Sequence, residues 1–97
     1  MDTIGSRIEF CRGLADHLSG RELSILANLS QAYIRMVERN ERERLGYQAG
    51  MRVASVLGID FQWLMTGEGK PPVASRVRRA VHNARVRRAS SNTPEAA

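Results

Sequence analysis

Residues 19 to 40 read SGRELSILANLSQAYIRMVERN, a stretch that predicts two short helices joined by a tight turn. Ser19 is followed three residues later by Glu22, which is the spacing of a capping box, so we expect a helix to begin at Ser19. Asn28 lies where the chain must leave that helix, and asparagine adopts the left-handed backbone more readily than most residues. The first helix of the pair is therefore expected to end near Asn28.

A second helix is predicted over residues 30 to 39. Ser30 is its expected cap, because a serine hydroxyl can accept a hydrogen bond from a free amide at the start of a helix. Ile34 and Val37 fall on the inward face of this helix. Two capped helices separated by only a few residues cannot lie antiparallel, so they are expected to cross steeply. The stretch is thus predicted to be a helix-turn-helix.

The outward face of the second helix determines what it can bind. Gln31 lies in the first turn, where its amide can form two hydrogen bonds with one adenine edge in the major groove of DNA, so it is the main candidate for base reading. Ala32 and Met36 offer apolar surface suited to thymine methyl groups, and Arg35 is able to reach a guanine or a phosphate. Tyr33 is expected to be half-packed, with its hydroxyl directed toward a backbone phosphate. The alternative is an ordinary solvated helix face, on which glutamine and arginine are common.

Residues Ile4 to Gly69 resemble the DNA-binding domain of the Cro/repressor-type family, also called the XRE family. The resemblance is carried by LSGRELSILANLSQAYIRMVERN, by IGSRI near the start and by RVASVLGIDFQWLMTGEG after the motif. It implies an all-α, five-helix, lambda-repressor-like DNA-binding domain that reads the major groove with helix 30–39. Gly20 departs from the family pattern, which usually has a glutamine there that braces a phosphate and the recognition glutamine. Ser24 stands where the family normally has alanine.

The resemblance also implies roles for charged residues. Arg12 and Glu38 are the candidates for an ion pair that joins the first helix to the recognition helix, with Arg7 as the fallback partner of Glu38. The alternative is a pair of unpartnered surface charges, since exposed ion pairs contribute little. The loop of residues 40 to 46 is expected to lie along the DNA backbone, although its alternating charges would also suit a solvated loop. The residues assigned to phosphate contacts, which position the protein without reading sequence, are Ser30, Tyr33, Arg39, Arg42 and Arg44.

Helical periodicity predicts three further helices, over residues 4 to 16, 45 to 57 and 61 to 66. Asp60 is expected to cap the last of them and Gly67 to close it. This last helix carries more apolar surface than one short terminal helix is expected to bury, and in the family this region commonly forms the dimer contact. A purely intramolecular lid is the alternative. The predicted dimer interface consists of Phe61, Trp63 and Met65.

The charge of the 97-residue chain is unevenly distributed. Residues 1–70, the expected helix-turn-helix domain, hold nine Lys or Arg and nine Asp or Glu, whereas residues 71–97 hold six Arg and one Glu. Two interpretations of this Arg-rich C-terminal tail stay open. It is either a flexible basic arm, which its composition favours, or a sixth helix that docks on a partner subunit. Either would add phosphate contacts and steepen the salt dependence of DNA binding.

The composition argues against catalysis. The only cysteine, Cys11, is interpreted as a small core residue, because a nucleophile would need a nearby base and an exposed, electropositive environment. The two histidines, His17 and His82, are not part of any metal-ligand spacing. We therefore predict no catalytic residue, no metal and no cofactor. We also expect a cytoplasmic protein without a membrane partner, because no apolar run is long enough to span a bilayer.

Together these features predict a sequence-specific DNA-binding transcriptional regulator, a dimeric repressor of phage or bacterial type whose partner is double-stranded DNA. Two alternatives stay open. One is a helix-turn-helix module used for contact with another regulator or with polymerase, which the neutral domain and Gly20 favour. The other is non-specific nucleic-acid binding through the basic tail. Deletion of residues 73–97 is expected to leave base preference intact if the recognition helix is responsible for it.

Overall fold

The computed structural model describes residues 3–39 and 45–91, and all regular secondary structure within these ranges is helical. The all-α class predicted from the sequence is confirmed. The helices of these two ranges are, in chain order, α1 (Ile4–Leu14), α2 (Gly20–Leu26), α3 (Tyr33–Glu38), α4 (Tyr47–Leu57), α5 (Phe61–Thr66) and α6 (Ala74–Ser91).

Helix α1 begins with a capping box, in which the Thr3 hydroxyl accepts a hydrogen bond from the Ser6 amide at 3.0 Å. It ends at Leu14, two residues before the predicted end. Asp16 and His17 explain this early end, because their backbones are left-handed, with φ of 57° and 67°. A right-handed helix cannot continue through two such residues, so the chain turns there toward α2.

Helix α2 starts where the sequence predicts. The Ser19 hydroxyl accepts a hydrogen bond from the Glu22 amide at 2.9 Å, which satisfies one of the free amides at the helix start. Asn28 has a φ of 60°, so the predicted left-handed exit from α2 is confirmed as well.

Helix α3 begins at Tyr33, three residues later than predicted, and has no side-chain cap of its own. The prediction that Ser30 caps this helix is wrong, because the Ser30 carbonyl and not its hydroxyl accepts the Tyr33 amide, at 3.0 Å. A residue of α2 supplies the missing acceptor instead. The buried Ser24 hydroxyl accepts the Ile34 amide at 3.1 Å and donates to the Gly20 carbonyl at 2.8 Å. One hydroxyl group thus joins the two helices of the motif.

Glycines end the next two helices. Gly58 closes α4 and Gly67 closes α5, both with left-handed backbones at φ of 63° and 81°. Asp60 occupies the N-cap position of α5 but makes no cap hydrogen bond, so this part of the prediction is wrong. Its carboxylate instead accepts the Lys70 amide at 3.3 Å and thereby holds the turn that follows α5.

Helix α6 packs against α4, α1 and α2 of its own chain. Val77, Val81 and Ala84 point into the same core as the other helices and are at most 4% exposed. The composition-based preference for a flexible arm is therefore wrong for residues 74–91, because a regular stripe of small apolar side chains is enough to dock them. At the crossing with α4, a Cβ on Gly58 would lie 2.6 Å from the Ala80 Cβ, so only glycine fits.

None of the helices in residues 3–39 and 45–91 combines the length and apolar character needed to cross a bilayer.

Candidate nucleic-acid interface

The start of α3 and its outer face are exposed, and they hold the residues proposed to read bases. Gln31, Ala32 and Arg35 are exposed, and Met36 is half-buried. On the opposite face of the helix, Ile34 is fully buried and fixes α3 to the core. The core therefore fixes the inner face of α3, while the polar and apolar side chains of its outer face stay accessible.

Gln31 has a partner on the neighbouring helix. Its Oε1 accepts a hydrogen bond from Arg21 Nε at 3.3 Å. An amide oxygen can accept two hydrogen bonds, so this contact leaves capacity for a further donor. Arg21 was not among the predicted site residues, since nothing in helical periodicity indicates a contact between side chains ten positions apart.

Basic side chains border a groove of about 380 Å³ between the second half of α1, the start of α2 and the outer side of α3. Four arginines and two glutamates line it, which leaves a formal excess of two positive charges. Gly20 shapes one wall, because a Cβ at this position would lie 3.0 Å from Cγ of Arg35. Glycine at this position therefore gives the Arg35 side chain room to lie across the start of α2. The lining arginines are Arg12, Arg21, Arg35 and Arg39.

Arg12 and Glu38 form a two-point ion pair, with Nε to Oε2 at 2.8 Å and Nη2 to Oε1 at 2.6 Å. The guanidinium also donates to the Leu18 carbonyl at 3.0 Å, so it joins α1, the α1–α2 turn and α3. The hydrogen bonds to Glu38 raise the pKa of Arg12 against the opposing effect of burial. Two parallel hydrogen bonds of this kind fix the orientation of α3 relative to α1, in addition to the attraction between the two charges.

Arg7, the fallback partner of Glu38, lies elsewhere. Its side chain is 5% exposed, and it donates from Nε to the Leu64 carbonyl at 2.8 Å and from Nη2 to the Met65 carbonyl at 3.2 Å. A buried cation at the carbonyl end of a helix stabilises that end. Arg7 therefore fixes the end of α5 against α1.

Three of the five residues assigned to phosphate contacts lie within the described ranges. Ser30 is exposed three residues before α3, Arg39 is exposed at the end of α3, and Tyr33 is half-buried beside the core. Arg42 and Arg44 lie outside the described residues.

The residues assigned to the dimer interface differ in their burial. Trp63 is 7% exposed and belongs to the core, so assigning it to an exposed interface is wrong. The reason is that α5 packs on both α1 and α4, which together bury more of it than a terminal lid would. Phe61 and Met65 are half-buried, and Phe61 forms an edge-to-face contact with Tyr47 at a ring-centroid distance of 5.3 Å. Tyr47 is 68% exposed, which makes it the most accessible aromatic side chain of the described ranges.

The single cysteine of the chain, Cys11, is not exposed at this interface. Cys11 is fully buried, and burial raises the pKa of its thiol to about 12, so it is not a nucleophile in the folded protein. Across residues 3–39 and 45–91, His, Cys, Asp and Glu side chains nowhere gather in a group of three that could hold a metal ion.

Compared with known proteins, the chain matches no protein-family model, no curated protein and no solved structure.

Proposed function

We propose that this protein is a sequence-specific DNA-binding regulator that inserts α3 into the major groove of double-stranded DNA. The observation that carries the proposal is the exposed edge formed by Gln31 and Ala32 just before α3 and by Arg35 on it, while the other face of the helix is buried. A glutamine amide recognises adenine, and alanine can contact a thymine methyl group. Such a regulator of repressor type acts by occupying its operator and needs no cofactor.

The basic groove beside α3 supplies the second part of the proposal. Phosphate contacts hold a protein in register on DNA while base contacts specify the sequence. Arg21, Arg35 and Arg39 line the groove next to the exposed edge of α3, at the place where a DNA backbone would pass. The Arg12–Glu38 pair holds α3 at this groove.

The regulator is proposed to act as a homodimer, because one helix reads only a few base pairs whereas two helices about 34 Å apart read a palindrome. The proposed contact surface is Tyr47 with Phe61 and Met65, and it excludes Trp63.

We predict that sedimentation at micromolar concentration shows a dimer and that Tyr47→Glu shifts it toward the monomer. Val73→Glu, also on an exposed apolar residue, is the control. A monomer in the unchanged protein would contradict the proposed dimer.

The main experiment is selection of bound duplexes from a random DNA pool at a stated salt concentration. We predict that Gln31→Ala relaxes the preference at one base pair of each half-site, a loss of about 1–3 kcal/mol of discrimination. Arg39→Gln is the matched variant, because it should weaken binding to all sequences alike and lower the salt slope by about 1. If no duplex is enriched, or if Gln31→Ala leaves the selected sequence unchanged, α3 does not read DNA.

Binding through the tail is the competing function, and its support is that all six arginines of α6 are exposed. Deletion of residues 73–97 is not a suitable test, because it would remove Val77 and Val81 from the core. Arg78→Gln with Arg79→Gln tests it without this damage, since both side chains are exposed. If α3 reads the DNA, this double variant keeps the selected sequence and only reduces the salt dependence.

A further inference from the structure

An apolar groove with a basic rim runs along the side of α2 that faces α4 and α6. Its largest hollow measures about 350 Å³ and lies between α2, α4 and the end of α6. Two neighbouring hollows, of about 290 and 300 Å³, continue it between α2 and α6. Leu26 lines all three, so we treat them as one surface and call it the α2–α6 groove.

The floor of the α2–α6 groove is aliphatic. Leu26 and Ile25 are half-buried on α2, and Val56 is buried beneath them on α4. Met51 stands at the α4 side and is 48% exposed. Unbranched, flexible methionine side chains are common at surfaces that accept partners of varied shape.

The rim of the groove is basic. Arg52 of α4 and Arg85, Arg87 and Arg88 of α6 line it. Glu22 is the one acidic residue among the lining residues of these hollows, and both of its oxygens already accept hydrogen bonds from Arg85, at 2.8 and 2.9 Å.

Two rim arginines keep their charge available to a partner. Among the described residues, the hydrogen bonds of the Arg52 and Arg88 side chains go only to backbone carbonyls, those of Asn28 and Ile25, each at the long distance of 3.5 Å. Neither is within ion-pair distance of a carboxylate in residues 3–39 and 45–91. A carboxylate brought to the rim would therefore meet two guanidinium groups that no acid of the described residues engages.

We propose that the α2–α6 groove binds an acidic amphipathic segment of a partner protein. Aliphatic side chains of such a segment would cover Leu26 and Met51, and its carboxylates would meet Arg52 and Arg88. A helix that lays its apolar face in a groove is a common mode of recognition, and complementary charge sets its orientation. Nucleic acid fits this surface less well, because the aliphatic floor offers nothing to a phosphate backbone and the lining residues include no aromatic side chain on which an unpaired base could stack.

The groove and the α3 edge are separate surfaces. Ser24 faces α3, and Leu26 is two residues further along α2, which places it about 200° around the helix. A partner in the α2–α6 groove would therefore leave Gln31 accessible. The inference does not depend on DNA binding by α3, and the two can fail independently.

The test uses a fluorescein-labelled peptide with leucine at i, i+4 spacing and glutamate at its other positions, followed by fluorescence anisotropy with the full chain. We expect saturable binding and a shift of the Met51 methyl resonance. Arg88→Glu should weaken binding about tenfold, because it replaces an attraction by a repulsion. Arg78→Glu makes the same charge change on the same helix outside the groove, and it should leave the affinity within about twofold.

Several results would overturn the proposal. One is equal weakening by Arg88→Glu and Arg78→Glu, because it would mean that only net charge matters. Another is undiminished binding of a peptide with serine in place of leucine, because the aliphatic floor would then contribute nothing. A third is loss of duplex DNA binding in Arg88→Glu with the peptide affinity unchanged, which would assign the rim to phosphate. Circular dichroism of each variant confirms that a lost signal does not reflect unfolding.

Discussion

At the scale of single residues, the position of α3 depends on side chains that are small. Gly5 lets α1 approach the end of α3, Ser24 bridges α2 and α3, and Gly20 makes room for Arg35. Hydrophobic periodicity identifies the large core residues such as Ile34 and carries no information about these three. Their roles follow only from distances between elements, which a single sequence does not give.

Gly5 provides the sharpest test at this scale. A Cβ there would lie 2.8 Å from both the Glu38 Cα and the Val37 carbonyl oxygen, which are backbone atoms that cannot rotate away. We predict that Gly5→Ala lowers the free energy of unfolding by about 1–3 kcal/mol, as overpacking does. Gly13→Ala is the control, because no atom of another part of the described structure lies within 4 Å of its Cβ position and alanine favours the helix by up to about 1 kcal/mol. Urea denaturation of both variants measures the difference, and equal effects would contradict this packing.

At the scale of helices, the sequence predicted the boundaries of α2, which local chemistry sets, and missed the start of α3, which depends on another element. Ser19 caps its own helix, and Asn28 takes a left-handed backbone that it tolerates, so both were predicted correctly. The start of α3 was placed too early because the backbone amide of Ile34 donates to the Ser24 hydroxyl of α2 and not to a cap within its own helix. Asp60 was misassigned for a similar reason, since its carboxylate binds the Lys70 amide in the following turn.

The ion pair between Glu22 and Arg85 fastens α6 to α2. Hydrogen bonds from Arg85 lower the pKa of Glu22, so the pair's contribution to stability is complete above about pH 4.3, the ordinary pKa of a glutamate, and is lost as the pH falls through the lower folded value. Both side chains are more than a third exposed, so this contribution is at most about 1 kcal/mol.

We predict from this pair that Glu22→Gln speeds amide hydrogen exchange in the last turns of α6 above pH 5, and that the variant and the unchanged protein converge as the pH falls below 4. Global denaturation should differ by less than about 1 kcal/mol. Glu68→Gln, on an exposed loop, serves as the control. Unchanged exchange in α6 above pH 5 would show that the pair does not hold this helix.

At the scale of the whole molecule, charge and burial are distributed differently from what composition implies. The composition of the basic tail, with many arginines and no large side chain, favoured a mobile arm, and a sixth helix was the alternative. Its valines and alanines nevertheless recur at helical spacing, and Val77 and Val81 are at most 1% exposed. Trp63 was misplaced by the opposite error, since an aromatic residue on a short helix was assumed to exceed what the core could bury. Composition measures how much apolar surface exists and does not say which elements meet.

Cys11 gives a readout of this global packing, because its thiol is fully buried and reacts only when the fold opens. We predict that Val77→Ala raises its rate of reaction with a thiol reagent at pH 8 by roughly tenfold or more, as expected from a buried truncation. Val86→Ala is the same change on the same helix at a side chain that is 50% exposed, and it should leave the rate nearly unchanged. Similar rates for the two variants would mean that α6 does not belong to the core.

The side chains that hold α3 in place and those that it exposes are different sets. Ile34 and Glu38 secure the helix, while Gln31, Ala32 and Arg35 contribute nothing to the core. Mutations at the exposed set should therefore leave the fold intact, which would let the binding preference proposed for this edge change while the architecture stays constant. An engineer can use the same freedom by randomising those three positions alone.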